Sequence, residues 1–255
     1  MPYSLQSVSL GLAAISVAGL AVSLVVVVRR VSHQTASSRG RRLPKSSSYQ
    51  PLQDLHLPAS IPQDVRSVDS DWVLAHERVI SRPVPAAALA HPFSASTPAQ
   101  PSELLKAYAR AVHVTFSWTP TGLILRSVIK DRAARRSFDT DYLQALDFDI
   151  GDRVNGAYTV VYHGAGGVEG SERLELALDP PAGYTGPQPR GLIVAEVAPA
   201  QQGLVFVNET WMWRKENEKK TLIETPVSAW IHEVMAGWLV VNGLAAVATQ
   251  KLKSS

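Results

Sequence analysis

Residues 191–244 read GLIVAEVAPAQQGLVFVNETWMWRKENEKKTLIETPVSAWIHEVMAGWLVVNGL. Gly191–Val197 and Leu204–Arg214 alternate in character on either side of PAQQG, the pattern of two antiparallel strands joined by a turn. KENEKK closes the second strand, and Thr225-Pro226 opens a helix: threonine is a favoured N-cap and proline suits the first helical position. Val227, Trp230, Ile231, Val234, Met235, Trp238 and Leu239 recur at three- and four-residue steps and predict one broad apolar face, with His232 and Glu233 on the other side.

Two more alternating stretches precede these, Ala157–His163 (AYTVVYH) and Arg173–Leu178 (RLELAL), bounded by HGAGG and DPPAGYTGPQP. Trp72–Ile80 reads as a first strand ended by Pro83, and Ser102–Val114 as a helix capped by Ser102. Leu123–Arg136 continues as helix, with its cations where they suit the helix dipole. The order predicts an α+β domain over 71–255, a curved antiparallel sheet packed on the long C-terminal helix. A curved sheet does not touch a straight helix along its whole length, so large side chains or a pocket must occupy the gap.

The segment DFDIGDRVNGAYTVVYH (147–163), the strands after it and WMWRKENEKKTLIETPVSAWIHEVMAGWLVVNGL (211–244) resemble the helix-grip superfamily of START-like lipid carriers, polyketide cyclases and aromatases. More loosely, an anchored domain with this ending looks like accessory proteins of fungal secondary-metabolite pathways, some of them cyclases, isomerases or Diels–Alderases. The resemblance implies a hydrophobic pocket and no cofactor. It brings no catalytic motif that transfers residue by residue.

The N-terminus is of a different kind. Val8–Val28 is a 21-residue run without charge or proline, followed at once by Arg29-Arg30. As a helix it rises about 31 Å, close to the roughly 30 Å hydrocarbon core of a bilayer. A cleaved signal would want a basic start and a shorter apolar core, so residues 5–30 are read as an uncleaved single-pass anchor. Arg29, Arg30, Arg39, Arg41, Arg42 and Lys45 precede the first acid, Asp54, so the positive-inside rule places the rest in the cytosol, on the endoplasmic reticulum by expectation. These six more than account for the net charge of +3, leaving no footprint for nucleic acid and suggesting contact with anionic lipid heads. Residues 31–70, rich in Ser, Pro, Gln and Arg, read as a flexible linker. With no cysteine the chain has neither disulfides nor thiolate chemistry.

Among possible sites, GAGGVEG leads into a strand rather than a helix and fails as a dinucleotide fingerprint. His163-Gly-Ala-Gly-Gly lacks a partnering G-x-S-x-G and reads as a hairpin turn. Asp147, Asp149 and Asp152 have no facing acidic cluster, and the seven histidines show no metal-ligand spacing, so no metal is expected. The sequon Asn208-Glu209-Thr210 matters only in the opposite orientation. Polar residues inside apolar strands carry more. Alternation sets Val205, Val207, Glu209, Trp211 and Trp213 on one face of the last strand and Leu204, Phe206, Asn208, Thr210 and Met212 on the other. If the first face lines the cavity, Glu209 is a desolvated carboxyl fit for general acid or base work; if the second does, Glu209 points outward. His163, Tyr162, Tyr158 and Tyr184 are hydrogen-bond donors to a substrate carbonyl. Trp211, Trp213, Phe206, Tyr158, Trp230 and Met235 are expected to hold the substrate.

The leading expectation is thus a membrane-anchored protein that folds a hydrophobic polyketide or terpenoid intermediate in its cavity and promotes cyclisation or isomerisation, with Glu209, His163 and Tyr162 as catalytic groups. A lipid or sterol carrier, or a protein that binds a partner through its tryptophans, stands beside it.

Overall fold

The computed structural model describes residues 24–44, 56–67, 70–93, 100–180 and 189–249. Most of the expected anchor, and Tyr184, lie outside them. Strands β1 (Thr35–Arg42), β2 (Trp72–Ser81), β3 (Arg153–Val154), β4 (Tyr158–Ala165), β5 (Glu172–Leu178), β6 (Gly191–Ala200) and β7 (Gly203–Lys215) form one antiparallel sheet in the order β1-β2-β7-β6-β5-β4-β3. Residues 24–34 form a helix, α1, that passes directly into β1. Four helices follow β2: α3 (Glu103–Ser117), α4 (Pro120–Val128), α5 (Arg132–Arg136) and α6 (Thr140–Gln144); a single turn, α2 (Gln63–Arg66), precedes it, and α7 (Pro226–Val247) closes the chain. The protein is α+β, and α7 is long and apolar enough to cross a membrane by length and composition.

Local chemistry accounts for the helix ends. Ser102 caps α3 by accepting from Leu105 N–H at 3.2 Å. The expected helix over 123–136 divides in two, because Asp131 accepts from Ala134 N–H at 2.7 Å and starts α5 afresh. Thr225 sits at the N-cap of α7, but its hydroxyl bonds Ser228 Oγ instead of a backbone amide.

The sheet's inner face packs on α3 and α7. Leu104, Leu105, Tyr108, Leu174, Leu176 and Phe206 are all fully buried there; each such side chain contributes about 1.5–3 kcal/mol. The long apolar face expected of α7 holds in part: Leu239 is buried and Val234, Met235 and Trp238 are half-buried. Ala229, Ala236, Gly237, Leu239, Val240 and Gly243 are buried, whereas Val227, Trp230 and Ile231 point outward. Close approach explains it: a Cβ on Gly243 would lie 2.6 Å from Tyr108 Cε2, so α7 gives its small residues to α3. His232 and Glu233 are half-buried and find polar partners. His232 Nδ1 is 2.6 Å from Glu77 Oε1, and Glu233 pairs with Arg39 and Ser37.

The outer face is covered by chain read from composition as linker. Ile61 and Val65 pack on Leu74, Leu192, Val194, Trp211 and Trp213. Glu175 accepts from Ala59 and Ser60 N–H, each at 2.8 Å, and Arg42 donates to the Val65 and Arg66 carbonyls. Segment 56–67 is therefore a strap, and β1 an edge strand paired along β2 from Thr35↔Ser81 to Arg42↔Leu74. Hydrogen-bonding groups on an otherwise exposed sheet edge, rather than composition, decide this part of the chain. Of the basic tract, Arg39, Arg41 and Arg42 turn to Glu233, Glu224 and the strap carbonyls.

Candidate functional site

Between α3, α7 and strands β4, β6 and β7 lies a cavity of about 50 Å³. Its apolar wall is Val112, Phe116, Ile193, Met235, Ala236 and Leu239; its polar groups are His113, Tyr158, Asn208, Thr210 and His232. The inner face of β7 supplies Asn208 and Thr210, because Phe206, Asn208 and Thr210 alternate inward with Ile193 beside them. Turns of α3 four and three residues apart bring Ala109, His113 and Phe116 to the same side.

Asn208, His113 and His232 are tied back into the protein. Tyr108 Oη donates to Asn208 Oδ1 at 2.8 Å, its ring tilted against Phe206 at 4.9 Å. That interior bond leaves no room for a glycan on Asn208. His113 Nδ1 is 2.7 Å from Asn155 Oδ1, and Asn155 Nδ2 donates to Ser117 Oγ at 2.8 Å. Burial lowers the His113 pKa to about 4 and pushes the Tyr158 phenol up to about 12, so both are neutral at pH 7. The wall therefore offers hydrogen-bonding groups, His113 and Tyr158 among them neutral, with Glu77 set behind His232 at 2.6 Å.

Of the expected substrate-holding residues, Tyr158 and Met235 line this cavity, while Phe206 lies beneath it. Trp230 is 46% exposed, in a groove beside α1. Trp211 and Trp213 are buried on the outer face.

Glu209 is on that outer face too, bonded to Trp211 Nε1–H and 3.3 Å from Arg78 Nε. It is 2% exposed and its pKa is raised, chiefly by burial. The desolvation expected of Glu209 is present, and the cavity is on the other side of the sheet. Around it stand Arg173, which donates to Glu196 from Nε at 2.9 Å, and His76, stacked on Trp211 at 4.6 Å. Glu209, Arg173 and Glu196 are buried in this layer, and Arg78 is partly exposed at its margin.

Tyr162 and His163 are separated from Tyr158 by a bulge. Val160 pairs with Leu176 and Tyr162 with Glu175, so Val161 is the extra residue and alternation fails across it. Tyr162 Oη donates to Ala165 O at 2.9 Å, and neither residue reaches the cavity.

His113, Asn208, Thr210 and His232 carry the polar chemistry of the cavity. Asn208 and Thr210 belong to the face of β7 that alternation left as the other possible lining, whereas His113 and His232 were not expected there. A histidine within the apolar stripe of α3 is the sequence signal for His113. Among the described residues, no three His, Asp or Glu side chains gather as a metal site. Comparison with protein families, curated proteins and solved structures finds nothing that matches this chain.

Proposed function

We propose that this chain is a membrane-held domain of helix-grip type that takes up an apolar small molecule between α3, α7 and the sheet. The observation that carries the proposal is a cavity wall on which apolar side chains from two helices and three strands surround a few polar groups. The helix-grip assignment draws on the strand order β2-β7-β6-β5-β4-β3 with α7 across the inner face. Anchoring draws on the 21-residue run and the arginines after it, with the domain on the cytosolic side of the endoplasmic reticulum.

At about 50 Å³ the space admits a few waters, well below the roughly 300 Å³ of an ordinary ligand pocket. Uptake thus needs α7 to move from α3, and this state is the closed one. Binding and release are favoured over cyclisation or isomerisation because Glu209, His163 and Tyr162 stand away from the wall. If the guest is transformed, His113 and Tyr158 are the groups placed to polarise it.

Full-length protein purified in mild detergent, extracted with organic solvent and analysed by mass spectrometry, is expected to yield an apolar compound near one per chain. Ala236→Phe, which fills the cavity from α7, and Thr210→Leu, which narrows it from β7, are expected to lose that compound while remaining folded. Equal recovery from wild type and both folded variants would overturn the proposal.

A further inference from the structure

Helix α7 is largely apolar and mostly enclosed beyond Ile231, yet protein leaves the apolar side chains of its first turns uncovered. Val227, Trp230 and Ile231 are 73%, 46% and 55% exposed; a helix of this kind is normally enclosed, so an apolar medium is missing from its outer side. A second such surface exists. Trp118, Leu123, Ile124 and Val128 at the end of α3 and on α4 are all exposed, Trp118 by 67%.

The two surfaces lie at one end of the domain. Gly243 meets Tyr108 and Val112, while Met235 and His232 share the cavity with Phe116, so α3 and α7 run antiparallel and the end of α3 adjoins the start of α7. Helix α1 enters at the same end. Val31 meets Gly237, and Val28 shares a groove with Trp230 and Val234, so α1 runs with α7 and its exposed Leu24, Val25 and Val26 lie toward the start of α7. These three residues belong to the apolar run Val8–Val28.

Charge identifies the covering medium. Residues 120–141 hold five basic residues (Arg126, Lys130, Arg132, Arg135 and Arg136) against three acids, of which Asp131 caps α5 and Asp139 pairs with Arg126 at 2.7 Å, so the segment keeps a net positive charge. A cleft of about 420 Å³ beside α4 places Arg126 and Arg136 next to Trp118, with Asp139 and Asp141 also on its wall. Arg30 lies 5.8 Å over the Trp238 ring on α7. Exposed apolar side chains rimmed by cations, with indoles at the boundary, are what a bilayer with anionic headgroups accommodates.

We propose that α4 and the first turns of α7 form a docking surface that lies in the interface of an anionic membrane, seating the domain on the bilayer with the helix-lined side of its cavity toward the lipid. This inference rests on the membrane placement above and does not require that the cavity bind anything. Because α1 passes into β1 without a spacer, the domain is held against the bilayer rather than on a long tether.

Native cysteine is absent, so single environment-sensitive labels are clean. Full-length Ile124→Cys and Glu169→Cys, each carrying a nitrobenzoxadiazole probe, are reconstituted into phosphatidylcholine vesicles with and without phosphatidylserine; Glu169 is exposed on the β4–β5 turn, away from Tyr158 and the cavity. The Ile124 probe is expected to shift to the blue and lose most of its emission when doxyl-labelled lipid is included, more with phosphatidylserine, and to revert in Arg132→Glu/Arg135→Glu. The Glu169 probe should stay in water. An Ile124 probe as aqueous as the Glu169 probe would overturn the docking surface while leaving the anchor intact, as would shielding that ignores doxyl lipid and grows with protein concentration, since a second copy would then cover α4. Failure of the chain to float with any vesicle would remove membrane placement and docking together.

Discussion

The indole Nε1–H of Trp211 donates to Glu209 Oε2 at 2.9 Å, two residues along the same outward face of β7. That bond fixes the face on which the buried carboxyl of this strand lies, and with it the chemistry available inside. The outer side of the sheet holds Glu209, Arg78, Arg173 and Glu196. The inner side holds a small apolar space with a few polar groups, and Glu77 behind His232.

Burial is the main effect on Glu209 and raises its pKa, with Trp211, Arg173 and Arg78 opposing. A group whose folded pKa exceeds its unfolded one contributes stability that is full below the unfolded pKa and is lost as pH rises through the folded one. Glu209→Gln removes that titration, so the variant should gain on wild type in urea midpoint as pH rises from 4 to 8, with guest binding unchanged. Wild type gaining on the variant as pH rises would show that Arg78 outweighs desolvation.

Glu175 holds the strap through two backbone amides in a fully buried site. Charge-assisted bonds of this kind are strong, and Glu175→Ala should cost about 2–4 kcal/mol in equilibrium unfolding. Limited proteolysis should then cleave between residues 43 and 71 before the rest of the domain. Cleavage at the same rate in wild type and variant would mean that Ile61 and Val65 alone hold the segment.

His113 and His76 both have their pKa lowered to about 4, chiefly by burial. The unfolded chain takes protons on these rings near pH 6.5, so stability is intact above that value and falls as pH drops toward 4. The buried His113 ring alone should account for about 3 kcal/mol of that loss by pH 4. Chemical denaturation at pH 7, 5.5 and 4.5 measures it, and His113→Gln should flatten the curve; an equally steep curve in the variant would assign the loss to other groups.

Much of the element order was legible because it is written locally. Period two marked β4 to β7, and proline at position 226 and serine at position 102 marked helix starts, since steric limits on φ and unpaired amides act on a few neighbouring residues. The strap and β1 were not legible. Their Ser, Pro and Arg look like spacer composition, and their order comes from distant partners: β2 for Thr35–Arg42, Glu175 for Ala59 and Ser60.

The chain by itself thus determined an antiparallel α+β domain ending in a long apolar helix, because alternation and helical periodicity follow from backbone geometry alone. Which side of each element faces inward was a tertiary decision. A period of two permits either face of β7, and only the placement of α3 and α7 puts Asn208 inside and Glu209 outside. Likewise α7 turns Gly243 inward and Ile231 outward because the Tyr108 ring leaves no space for anything larger at the crossing.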